Sequence, residues 1–145
     1  MLQKFLILLV FAFCQHSLAA DTRPVRSPQT MWMLNCQGCH RPDGAGTGSE
    51  VPAMPGVVAR FLSVPGGREY LIRVPGVAGS PLPDDSLVIL VNWMLENFDR
   101  ENIPADFTPY TLEEVSAFRK LGAYGGEAGT IRASLMQSML AATDH

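Results

Sequence analysis

"NCQGCHRPDGAG", residues 35–46, is the stretch on which the reading of this chain turns. Two thiols, Cys36 and Cys39, stand three positions apart, and an imidazole, His40, follows the second directly. Clusters of this kind serve thiol–disulfide exchange, zinc binding or haem attachment. The rest of the chain discriminates among the three.

At 145 residues the chain has room for one domain plus appendages. Residues 1–19 read as an export signal. Lys4 gives the basic start, Phe5 to Phe13 an apolar run too short to span a bilayer comfortably, and Ser17 and Ala19 the small residues of a cleavage site. Cleavage is expected after Ala19, which places the mature chain in the periplasm. A retained signal anchor is the alternative. Lipid anchoring on Cys14 is disfavoured because Phe11 and Phe13 stand where small residues belong. No other run is long and apolar enough to span, so the mature chain is expected to lack a transmembrane segment. Loss of Lys4 with the leader moves the formal net charge from −3 to −4. That balance disfavours nucleic acid or an anionic membrane as partner. The mature chain keeps two cysteines, 36 and 39, and two histidines, 40 and 145.

Residues 20–26 read as a flexible lead-in and 27–121 as the folded domain. Ser27-Pro28 is a helix start, a capping serine followed by proline at the first helical position. This helix carries Met31, Trp32 and Leu34 and delivers Cys36 to Cys39. Glycines and prolines keep 41–57 a loop. A short helix is expected over Arg68 to Val74, stopped by Pro75-Gly76. From Asp84 to Phe98, Leu87, Leu90, Val91, Met94, Leu95 and Phe98 recur at helical spacing, with Asp84 and Asp85 at the positive end of the dipole. Residues 99–110 read as a loop. Thr111 opens another helix, with Glu114 completing a capping box and Gly122 ending it. The tail, 122–145, is expected to be flexible or marginally helical. No alternating strand pattern is evident, and the fold class is all-α.

This inventory bears on the cysteine pair. A redox Cys-x-x-Cys belongs to a strand–helix–strand context, and here a helix precedes it. A structural zinc site needs four ligands; the pair, His40 and the distant His145 make a poor tetrahedron. Haem attachment explains every letter. The two thiols add to the two vinyl groups of one porphyrin, and the adjacent histidine is carried under the iron as its proximal ligand. Gln37 and Gly38 are free to vary between them. Export fits too, because such haem attachment takes place outside the cytoplasmic membrane.

With these residues in place, the chain resembles a small class I cytochrome c, one covalent haem c within three to four core helices. The likeness covers roughly 27–121. Trp32, four residues before Cys36, stands where the family has an aromatic. "CHRPDGAG" is similar to the family's Cys-His-x-x-Asp-Gly-x-Gly, and "PAMPG" to its Pro-x-Leu-x-Gly. The resemblance implies that the Pro52 carbonyl accepts a hydrogen bond from the far nitrogen of His40. It also implies that "TLEEVSAFRK" is the C-terminal helix packed across the N-terminal one.

The family supplies a sixth iron ligand, usually methionine, from the loop before its last helix. Here Ile103-Pro104 stands at that place. Met31 and Met33 lie too near the attachment motif to reach the far face. Met54 falls on the His40 side, Met136 and Met139 in the tail, and His145 is remote. Met94 is the candidate distal ligand, set against an open or water-bound iron. The expected function is a periplasmic carrier of single electrons, not an enzyme. It would take electrons from an exported dehydrogenase and pass them to an oxidase or another cytochrome, docking through the haem edge near Gln37 and Gly38. The alternatives are a gas- or peroxide-sensing haem protein with an open site, and a haem subunit held in a dehydrogenase complex through its tail.

Overall fold

The computed structural model describes residues 26–48 and 50–143. The leader, most of the lead-in and His145 lie outside the described residues. Seven α-helices make up the described chain: α1 (Pro28–Asn35), α2 (Gln37–His40), α3 (Gly67–Arg73), α4 (Pro75–Ala78), α5 (Asp84–Asp99), α6 (Leu112–Lys120) and α7 (Ala128–Thr143). Short 3₁₀ turns cover Ala59–Ser63, Arg100–Asn102 and Gly125–Glu127. Among the described residues there is no strand, only an isolated antiparallel bridge between Thr47 and Val51.

The local chemistry of each helix start is visible. Ser27 caps α1, its Oγ accepting from the Thr30 amide at 3.2 Å, with Pro28 at the first helical position where its missing N–H costs nothing. The Thr111 hydroxyl caps α6 by accepting from the Glu114 amide at 3.2 Å. The reciprocal half of the expected capping box is absent. Glu114 instead accepts a bidentate pair from Arg68, at 2.7 and 2.6 Å, because a guanidinium offers two aligned charged donors against one neutral amide. α3 stops before Pro75 as expected, with Val74 turned to ψ +142°. Pro75 then opens α4, again from the first helical position.

α5 is the central helix. Its buried face is the stripe Leu87, Leu90, Val91, Met94 and Leu95, and it packs against α1 on one side and α6 on the other. This corrects the expectation that the Thr111 helix crosses the N-terminal one. α6 packs on α5 and α3, and α5 lies against α1. The reason is the apolar face available: α5 runs 16 residues and brings Trp93 and Phe98 to Trp32, whereas α6 runs nine and buries only Val115 fully. The connection from α5 to α6 is pinned at Tyr110. Its backbone exchanges two hydrogen bonds with the Asn92 amide, and its hydroxyl donates to the Arg68 carbonyl.

The tail resolves to its helical alternative. Leu135 and Met139 of α7 are buried in a second apolar cluster with Phe61, Val64 and Tyr70. Long-range packing stabilises a helix whose own amphipathic pattern is weak.

Candidate functional site

Helix α1 ends at a kink on Cys36 (φ −127°), whose amide donates to the Trp32 carbonyl at 2.9 Å, and the single turn α2 follows. Cys36 is half-buried and Cys39 exposed, and both are free thiols. Burial, then the neighbouring Cys39, pushes the Cys36 thiol up from its ordinary value. Burial pushes His40 down, so its imidazole is neutral at neutral pH. Its ring lies against Trp32 with centroids 5.8 Å apart. The His40 Nδ1 is buried without a hydrogen-bond partner, as is the Trp32 Nε1.

The chain reverses immediately after His40. Arg41 takes φ +66°, a region L side chains rarely adopt, at a cost of about 1–3 kcal/mol. The reversal lets the following loop cover the end of α2. The Thr47 hydroxyl donates to the Cys39 carbonyl at 2.7 Å and the Gly46 amide to the His40 carbonyl at 3.1 Å. Gly44 and Gly46 both sit at φ +73°. A Cβ on Gly46 would stand 2.1 Å from the Val51 carbonyl oxygen, and one on Gly44 would stand 3.0 Å from the Phe98 ring. The Gly-x-Gly spacing is therefore a packing requirement. The loop then closes through the Met54 amide, which donates to the Gly44 carbonyl at 2.9 Å.

The hydrogen bond expected from His40 to the Pro52 carbonyl is not formed. The imidazole is turned to Trp32 and its Nδ1 is unpartnered, while the backbone of Gly46 packs beside that carbonyl. The structure sorts the methionines. Met31, Met54 and Met94 are buried in the cluster whose edge includes Cys36. Met136 and Met139 belong to the second cluster, and Met33 is exposed. Ile103 packs on the first cluster. Since the helix lying on α1 is α5, the loop preceding it is 78–83, Ala-Gly-Ser-Pro-Leu-Pro, which offers no methionine either.

Two residues missed in the sequence tie distant segments together. Asp99, 5% exposed, accepts from the Gly56 amide at 2.9 Å, the Ala59 amide at 2.8 Å and the Asn102 side chain at 2.6 Å. An acidic residue at a helix C-terminus is unfavourable against the dipole, and that misplacement was the available signal. Arg119 in the last turn of α6, which donates to the carbonyls of Ala78, Ser80 and Leu82, gave no such signal, because a cation is favourable there.

Two cytochromes c-552 of Thermus thermophilus are each 31% identical to this chain over 102 residues. The aligned part is 58% of this chain and 78% and 69% of theirs. The chain belongs to the c-type cytochromes. No family model matches the cytochrome, and no solved structure does.

Haem is the group such a cytochrome carries, and the residues present fit it. Two unpaired thiols and an imidazole share one turn, the donor set for two thioethers and one iron ligand. Among the described residues no group of three or more His, Cys, Asp or Glu is arranged to hold a bare metal ion. No helix among them is long and apolar enough to cross a membrane.

Proposed function

We propose that this cytochrome is a periplasmic monohaem electron carrier, with Cys36 and Cys39 tethering the haem and His40 ligating its iron. The observation that carries this is that one short turn brings two free thiols and a half-buried imidazole together, in a chain of this family. Each S–H would add across one vinyl group, giving two thioethers without net oxidation. The haem supplies a one-electron ferric/ferrous couple.

The chain's own residues provide the surroundings. Trp32, Phe98 and the α5 stripe exclude water from one side of the site. Asp99 anchors 56–59 to the end of α5. A packed, dry wall that moves little between oxidation states suits outer-sphere electron transfer. Met94, buried in the same cluster, is the candidate sixth ligand. A Cβ at Gly38 would meet nothing within 4 Å, and Met33 and Leu34 of α1 are exposed. Exposed, unobstructed positions of this kind suit brief docking of redox proteins, an exported dehydrogenase as donor and an oxidase or another cytochrome as acceptor. The packing of α7 onto the domain favours a free carrier over a subunit docked through its tail.

The second reading, an open iron that binds gas or peroxide, is favoured by one observation, the absence of methionine from the 78–83 loop. Spectra of the ferric and ferrous protein with and without carbon monoxide decide between them. A far-red ferric band that Met94→Ala abolishes, with no carbon monoxide shift, supports the carrier. A high-spin spectrum that shifts with carbon monoxide supports ligand binding. Loss of covalent haem in Cys36→Ala and Cys39→Ala tests the attachment itself.

A further inference from the structure

The chain has two tryptophans, and the fold brings them into contact. Trp32 of α1 is sealed from solvent at 2% exposure, and its ring lies 5.8 Å from the His40 ring. Trp93 of α5 meets Trp32 with centroids 6.4 Å apart. Phe98 bridges the pair, 4.6 Å from Trp32 and 5.7 Å from Trp93. Trp93 itself is only half-buried. One turn to either side of it, Ile89 and Asn97 are exposed, and their four-residue spacing puts both on the Trp93 face of the helix. Glu96 and Arg100 pair with each other at 2.8 Å beside that face. A line of aromatic contacts therefore runs from the solvent side of α5 to the imidazole of the attachment turn.

We propose that Trp93 and Trp32 form an electron port, through which a redox centre brought to the Trp93 face of α5 exchanges single electrons with the iron by way of His40. The proposal rests on the reading that His40 ligates the haem iron. Electron tunnelling weakens steeply with every gap between atoms, so a route of packed rings that ends on an iron ligand is favoured over one through solvent or voids. The exchange makes and breaks no bond. The one electron that leaves the ferrous iron arrives at the external centre, and both indoles end as they began. The residues of this port differ from those around Gly38, so donor and acceptor need not compete for one surface.

The test uses the haem-loaded protein with Asn97→His, which carries a ruthenium bipyridyl complex on its imidazole one helical turn from Trp93. His145→Gln removes the competing label site. A laser flash with a soluble oxidative quencher gives ruthenium(III), the ferrous iron reduces it, and haem absorbance reports the rate. Against this parent, Trp93→Leu is expected to lose the fast transfer, and Trp93→Phe to fall between because a ring remains. Phe118→Leu is expected to match the parent. Phe118 is the control because it packs on the same apolar cluster from α6, outside the line of contacts from Trp93 to His40. Reduction potentials measured by voltammetry are expected to agree among the four proteins, which excludes a change in driving force. The parent's rate in Trp93→Leu overturns the proposal. So does equal slowing in Phe118→Leu, which reduces Trp93 to general packing, or a potential shift large enough to account for the slower rate. If Trp93→Leu does not fold, Trp93→Met decides by the same criterion. A parent protein without covalent haem overturns the underlying reading as well, and the haem content separates that failure from a failure of the port alone.

Discussion

Trp32 and Phe98 meet with ring centroids 4.6 Å apart, joining the helix that ends at Cys36 to the last turn of α5. Trp32 is 2% exposed and also contacts Trp93 and the His40 ring. The contact bridges the attachment turn and the central helix. Trp32→Ala is expected to destabilise the fold by about 3–5 kcal/mol through the cavity it leaves. Trp32→Phe should cost far less, since the indole N–H it removes has no partner in the chain. Denaturant unfolding of both variants checks the difference.

Gly46→Ala should sharply lower the yield of haem-loaded protein. The added methyl would meet the Val51 carbonyl at 2.1 Å on a backbone at φ +73°, so the loop covering His40 has to move. Gly48→Ala is the comparison, because its Cβ meets nothing within 4 Å, leaving only the strain of φ +58°. Haem content per chain, measured by absorbance, should fall much further in Gly46→Ala.

Asp99→Ala leaves the Gly56 and Ala59 amides without their acceptor. Each unsatisfied buried donor costs about 1–3 kcal/mol, so a loss of several kcal/mol is expected. Asp99→Asn keeps one side-chain oxygen and should lose less. Thermal melts of the two variants give the ranking, and equal losses would contradict this account.

Asp84 is held below the ordinary carboxylate range by hydrogen bonds from Ser116 and then Arg119, with the Arg119 charge adding to them. A depressed folded-state pKa means that the unfolded chain takes up its proton first as pH falls. The stability this group contributes is therefore complete above the unfolded value of about 3.9 and is lost as pH drops through the folded value. Asp84→Asn should flatten the acid limb of a stability-against-pH curve below about pH 4 and leave its shape at neutral pH unchanged.

Removal of residues 128–143 would uncover Phe61, Val64 and Tyr70. Lower thermal stability with haem attachment retained is expected, since Cys36 packs on the first cluster and none of Cys36, Cys39 and His40 packs on the second. A truncated chain that melts like the full-length protein would show that α7 contributes nothing to the fold.

Much of this was legible in the amino-acid order because its causes are local. The Ser27-Pro28 cap, the Asp84 to Phe98 stripe and the Thr111 cap all act within a turn or two of where they stand, and each helix begins where those residues direct. The spacing of Cys36, Cys39 and His40 likewise carries its chemistry on five consecutive residues, and the glycines after it announce a backbone that must turn tightly.

Which helix lies on α1 depended on the competition between two apolar faces distant in sequence, and α5 prevails because Phe98 and Trp93 reach Trp32. The direction of the His40 ring, the use of Asp99 as an acceptor for amides forty residues away, the gathering of three loop carbonyls on Arg119 and the ordering of α7 are of the same kind. Each depends on partners far apart along the chain, and one-dimensional patterning does not encode which pairs meet. The sequence by itself determined a helical chain with two thiols and an imidazole at the spacing proposed for haem attachment. Only the tertiary structure decided what surrounds that chemistry, because burial and hydrogen bonding between distant segments are settled by how the helices pack.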